Sequence, residues 1–188
     1  MRSYFIGATI VLGLSCAASA DMVTFTHSGH GTGKIGAVDF IASFTITAIG
    51  DTGDRIAPFP DVFAIPHLSA TIDIDGVGVF DFMEGTRTFV NSDVQAVGFS
   101  RIGGSDLFDG PFGVAVFSTW DMLSSIGPIS GGGQLLQWAD GVNTSGGVLD
   151  FDDAELTGGV TFTAVVVPAP SAAALLAFGG IAATRRRR

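Results

Sequence analysis

Residues 37–48, A-V-D-F-I-A-S-F-T-I-T-A, decide the fold class. Val38, Phe40, Ala42, Phe44, Ile46 and Ala48 fall on one parity. Asp39, Ser43, Thr45 and Thr47 fall on the other, with Ile41 the exception. Successive side chains of a strand point to opposite faces, so this period of two marks a half-buried strand.

Outward from that stretch, strand-like runs recur at 23–26, 68–74, 77–83, 86–90, 94–100, 112–119, 134–138, 147–151 and 160–167. Turn signals separate them: Gly50-Asp51, Asp75-Gly76, Gly103-Gly104, Asp109-Gly110, residues 131–133, Asp140-Gly141 and Gly158-Gly159. Asp75-Gly76 between two alternating runs predicts a tight hairpin. Residues 29–36, G-H-G-T-G-K-I-G, read as a turn joining two early strands. They lack the Gly-Lys-Ser/Thr ending of a phosphate loop, and no helical pattern follows. Residues 55–66 carry three prolines and read as a long ordered loop. Residues 119–126, T-W-D-M-L-S-S-I, are the one candidate for a helix, of at most two turns. Many short strands without a long helix predict an all-β fold, a single antiparallel β-sandwich or jelly roll over 21–166. Sixteen phenylalanines, one in each terminal segment, supply its core.

The ends read differently. Arg2, an apolar stretch over 5–14 and Ala18-Ser19-Ala20 have the three parts of a secretory signal peptide, with cleavage after Ala20. A lipoprotein signal using Cys16 is the alternative, with Leu14 one place too near the cysteine for a good lipobox. At the other end stand Pro168, Ala169 and Pro170, an apolar run over 172–183, then Arg185, Arg186, Arg187 and Arg188. Twelve helical residues reach only about 18 Å, short of a hydrocarbon core of about 30 Å. The run therefore spans only with help from 164–167, leaving the arginines on the cytoplasmic side.

This three-part tail resembles the PEP-CTERM sorting signal of exported bacterial proteins. Pro168 and Pro170 match the two prolines, 172–183 the hydrophobic segment, and Arg185–Arg188 the basic cluster; Ala169 stands where the family has Glu. The resemblance covers 167–188 and implies a sorting helix that inserts transiently in the inner membrane. It also implies processing by signal peptidase and an exosortase-type enzyme, and release to the cell surface or the extracellular polysaccharide matrix, with exopolysaccharide as a partner.

Composition narrows the function of 21–166. The only cysteine, Cys16, lies in the signal, so no disulfide or thiolate chemistry is expected in the exported form. Lys34, Arg55, Arg87 and Arg101 remain against 18 acidic residues, 4 − 18 = −14. Nucleic acid and acidic membrane surfaces are poor partners for such a charge. His27 and His30 are three apart and His67 stands alone; they read as polar residues of a Gly-rich strand end rather than metal ligands. Asp150, Asp152 and Asp153 are weak calcium candidates, with a solvated strand face as the preferred reading. Asp73, Asp75 and Asp81 flank a hairpin and lack the closing Glu of an EF-hand loop. A sheet could bring the acids of 73–84 and 150–155 together. Asn143-Thr144-Ser145 fits the glycosylation pattern, which the bacterial origin implied by the resemblance makes incidental. No G-x-S-x-G nucleophile motif occurs, and no cofactor or catalytic constellation is expected.

Two functional classes remain. The first is a non-catalytic surface or matrix protein. The alternative is a carbohydrate-binding β-sandwich module, which calls for an exposed aromatic platform. Trp120 and Trp138 are the only rings of that kind outside the signal, and their apolar neighbours place them in the core.

Overall fold

The computed structural model describes residues 21–138, 140–152 and 159–168. Twelve strands are found among them: β1 (Met22–Ile35), β2 (Val38–Asp51), β3 (Ile56–Phe59), β4 (Val62–Ile74), β5 (Gly78–Asp81), β6 (Thr86–Asn91), β7 (Ala96–Arg101), β8 (Asp106–Phe112), β9 (Ile126–Leu135), β10 (Val142–Thr144), β11 (Gly147–Phe151) and β12 (Val160–Val167). The expected class, all-β, holds. The expected sandwich does not. Eight strands close a ring in the order β1-β12-β9-β8-β7-β6-β4-β2 and back to β1, every pairing antiparallel. A sandwich needs two sheets with free edges; here β2 returns to β1 and the ring is an antiparallel barrel.

The long strands make closure possible. β1 and β2 are each 14 residues, joined at Ile35↔Val38 through Gly36-Ala37, with Gly36 at φ +57°. Gly29–Ile35, expected as a turn, continues β1 instead. Its glycines have a packing reason: a Cβ on Gly33 would lie 3.0 Å from Cα of Phe151 on the adjoining β11. Small residues let that strand approach closely.

β1 then changes partner along its length. Met22–Ser28 pairs with β12, and Gly33–Ile35 pairs with β11. β11 pairs with β10, Thr144 of β10 bridges to Phe82 just past β5, and β5 pairs with β4. A second, smaller circuit therefore shares the β1–β2–β4 wall with the barrel.

The core fills both. Val23, Phe25, Phe44, Ile46, Ile65, Ile72, Phe99, Phe108, Phe151 and Phe162 are buried on the inward parity of their strands. From Phe40 on, the stretch 37–48 behaves as its alternation dictates: Phe40, Ala42, Phe44, Ile46 and Ala48 are buried and Ile41 points outward at 75% exposure; Val38, of the inward parity, is exposed at the start of β2.

Several local expectations are corrected. The helix expected at 119–126 is absent; a 3-10 turn, Ala115–Ser118, precedes an irregular loop in which Trp120 and Met122 are buried. The strand expected at 112–119 ends where it was expected to begin, at Phe112. The loop expected at 55–66 is the β3–β4 hairpin. Of the sorting signal expected over 167–188, Val167 is the last residue of β12, and the expected sorting helix falls on 169–188, outside the described residues. The hairpin at Asp75-Gly76 forms as expected, closed by Val77 N–H to Ile74 C=O at 2.9 Å.

Candidate functional site

Inside the barrel, parity places one polar ring among hydrocarbons. β1 presents Val23, Phe25 and His27 inward, so His27 is fully buried rather than part of a polar strand end. β6 presents Thr86 and Thr88 inward, both buried. A register shift between Ile49 and Gly50 where β2 meets β4 accompanies the turning-in of His67. The two histidines, 40 positions apart in the chain, meet at one hydroxyl.

The contacts limit where the protons can be. His27 Nε2 lies 3.2 Å and His67 Nε2 3.0 Å from Thr88 Oγ1, and His67 Nδ1 lies 2.8 Å from Thr86 Oγ1. One hydroxyl proton cannot serve two rings, so at least one ring donates to Thr88. His27 Nδ1 has no hydrogen-bond partner among the described residues. Leaving a bare lone pair there costs less than leaving an N–H. The assignment that also uses the Thr88 proton is His27 Nε2–H to Thr88, Thr88 O–H to His67 Nε2, and His67 Nδ1–H to Thr86.

The surroundings hold both rings neutral. Phe99, Phe108 and Phe162 lie with centroids 6.1, 5.6 and 4.9 Å from His27, and Phe99 stacks on His67 at 5.4 Å. Burial lowers the His27 pKa to about 3, and His67 adds in the same direction. Burial lowers His67 to about 3 as well. Such rings carry no charge at neutral pH, so this cluster is a polar element of the core.

The second location is a cleft of about 470 Å³ at the β1–β2 hairpin end, lined by Thr32, Gly33, Lys34, Asp39, Phe40, Ile41, Asp150 and Asp152. Register builds it: Lys34 stands opposite Asp39 on one side and Asp150 on the other. Lys34 Nζ approaches Asp150 Oδ2 at 3.7 Å, and both side chains are partly exposed. Two calcium candidates, Asp150 and Asp152, thus reach one cleft, but Asp150 is already paired with a cation. Asp153 lies outside the described residues. Among the described residues no group of three or more His, Cys, Asp or Glu is placed to hold a metal ion.

The acids of 73–84 do meet the β10–β11 hairpin, through amides rather than carboxylates. Glu84 Oε1 accepts from Asn143 N and Nδ2 at 3.0 and 2.7 Å, and its Oε2 lies 3.8 Å from Arg101 Nη1. On the outer face of β8, burial pushes the Asp109 carboxyl up to about 6, with Asp106 adding to it.

Both tryptophans are buried. Trp138 donates Nε1–H to Leu107 C=O and sets its ring edge-on to Phe151 at 4.9 Å. Trp120 donates to Ser124 C=O at 2.9 Å and packs on Phe162. The sorting residues Ala169, Pro170 and Arg185–Arg188 and the cleavage residues Ala18 and Ala20 lie outside the described residues; Pro168 directly follows β12. No family model, no curated protein and no solved structure matches the chain.

Proposed function

We propose that the protein is an exported, non-catalytic component of the bacterial cell surface or exopolysaccharide matrix, freed from its signals at both ends. The observation that carries this reading is where the barrel releases its ends. Met22 at the start of β1 is directly opposite Val167 at the end of β12, and both are exposed, at 37% and 56%. The two terminal segments therefore leave from one rim, beyond the last paired residues. Processing enzymes can remove either segment without pulling a strand from the core. Burial of both tryptophans supports a structural role over a tryptophan sugar platform.

The test is mass spectrometry of the protein recovered from a bacterial host that carries an exosortase. The expected product begins at Asp21, lacks Arg185–Arg188 and is found in the surface or matrix fraction. A surface-exposed form that retains peptides containing Arg185–Arg188, or a chain left in the cytoplasm with residues 1–20 intact, overturns the reading.

A further inference from the structure

The outer wall of the barrel carries an ordered hydroxyl lattice. Thr-x-Thr occurs on three adjacent strands: Thr161 and Thr163 on β12, Thr24 and Thr26 on β1, Thr45 and Thr47 on β2. Register lines up all but Thr24, which stands between Val165 and Ile49. Thr163, Thr26, Thr47 and Thr71 stand opposite one another across β12, β1, β2 and β4. The next row reads Ser130, Thr161, Ser28, Thr45 and Asp73 from β9 to β4. Rows lie about 6.7 Å apart along a strand, and members about 4.8 Å apart across strands. Ser28 Oγ and Thr45 Oγ1 are 3.2 Å apart, and Ser130 Oγ and Thr161 Oγ1 are 3.1 Å apart, so neighbouring hydroxyls already orient one another.

Threonine is a common outward residue of strands, and one such residue means nothing. The two-dimensional repetition and its charge pattern go further. Within these rows the only carboxylates are at the border, Asp73 on β4 and Asp81 opposite Thr71 on β5. Among the described residues, the lysine and arginines that could attract an anionic polymer are occupied elsewhere. Lys34 faces Asp150, Arg55 faces Asp121, Arg101 faces Glu84, and Arg87 donates to Ser100. A neutral patch on so acidic a chain fits an uncharged partner. Each threonine offers a donor, an acceptor and a methyl group side by side, which matches the alternating hydroxyl and C–H surface of a sugar chain. The strands also twist by about 20–25° each, so four of them turn through roughly 60–75°. A rigid plane such as an ice face meets only one row of such a wall. A single flexible chain can follow it.

We infer that the threonine–serine face of β12, β1, β2 and β4 binds a neutral, hydroxyl-rich polysaccharide chain. This rests on the matrix reading above and names the surface through which the matrix holds the protein. The experiment is affinity electrophoresis of the full-length chain in gels containing dextran, hydroxyethylcellulose or alginate. The expected result is retardation by at least one of the two neutral polymers and none by alginate. The variant Thr26→Val/Thr47→Val/Thr163→Val, which keeps the side-chain shape, should weaken that retardation about tenfold or more, the equivalent of one to two net hydrogen bonds. Asn91→Ala, on β6 away from this face, should leave it unchanged. If the triple variant misfolds by circular dichroism, Thr47→Ala alone serves and should weaken binding several-fold. Equal retardation of variant and parent overturns the inference. So does binding to alginate alone, ice shaping lost in the variant without glycan binding, or a dimer that only the variant dissolves. A chain correctly processed and found in the matrix fraction that binds neither neutral polymer sinks this inference alone. Glycan binding by a chain that is never exported sinks the matrix reading alone.

Discussion

Acidification should unfold this barrel through its two interior histidines before its carboxylates matter. In the unfolded chain each imidazole takes a proton near pH 6.5; in the barrel burial holds both at about 3. Between those values the unfolded state binds more protons than the folded one. Stability contributed by each neutral ring is complete above about 6.5 and is lost as pH falls toward 3, at up to about 1.4 kcal/mol per pH unit per histidine. At pH 4.5 that amounts to about 2–3 kcal/mol for His27. His67 reaches partly to the surface, so its loss is smaller, and the pair costs about 4–5 kcal/mol. A domain of this size has about 5–15 kcal/mol to lose. Asp109 works in the opposite sense. Its raised folded pKa of about 6 contributes stability that is complete below about 3.8 and disappears as pH rises through 6, so it moderates the acid loss. The assay is urea unfolding followed by fluorescence of the buried Trp120 and Trp138 at pH 7.5, 6.0, 5.0 and 4.5. The parent should lose stability steadily below pH 6.5. His27→Gln/His67→Gln should be less stable at pH 7.5 and flatter below it, by nearly two protons in slope. Equal slopes for parent and variant would refute the reasoning.

Three further outcomes follow from the packing. Trp138→Phe removes one of the two donors to Leu107 C=O, leaving it Leu136 N–H at 2.9 Å, and opens space beside Phe151; it should cost about 1–3 kcal/mol in denaturant unfolding. Gly33→Ala drives a Cβ into the backbone of Asp150 and Phe151 and should cost about 1–3 kcal/mol or more, read as a lower melting temperature. Lys34→Ala removes a partly exposed ion pair and should change stability by less than about 1 kcal/mol; calcium and sodium at equal ionic strength should raise the melting temperature equally, and a calcium-specific rise lost in Asp150→Asn would show a site there.

Much of the strand content was legible because alternation is a local property. Residues 160–167 form β12 as read, and 37–48 form most of β2. Closure was not legible: the same alternation serves a sandwich or a barrel, and the pairing of 22–28 with 161–167 is set by the whole ring. Glycine misled repeatedly. G-H-G-T-G-K-I, Asp109-Gly110 and residues 131–133 read as turns, yet they lie in β1, β8 and β9, where the strands crowd; a Cβ on Gly110 would lie 2.6 Å from Cα of Gly133. His27 could have been read as buried, since it continues the parity of Val23 and Phe25. His67 could not, because the register shift beside it breaks the count. The hydroxyl rows were present as three Thr-x-Thr triplets, but only register shows that they are neighbours.

The pairing of β1 with β12 also sets an order of events during synthesis. β1 finds β2 as soon as the hairpin at Gly36 has emerged, but its other edge waits for residues 161–167. Until then β1 and β9 both present open edges, the raw material of wrong pairings between chains. A chain threaded through a membrane from its N-terminus cannot complete its barrel on the far side until β12 has crossed. At that moment only the residues after Val167 are still in transit. The seam is therefore the last part of the barrel to close, and it lies next to whatever still holds the chain.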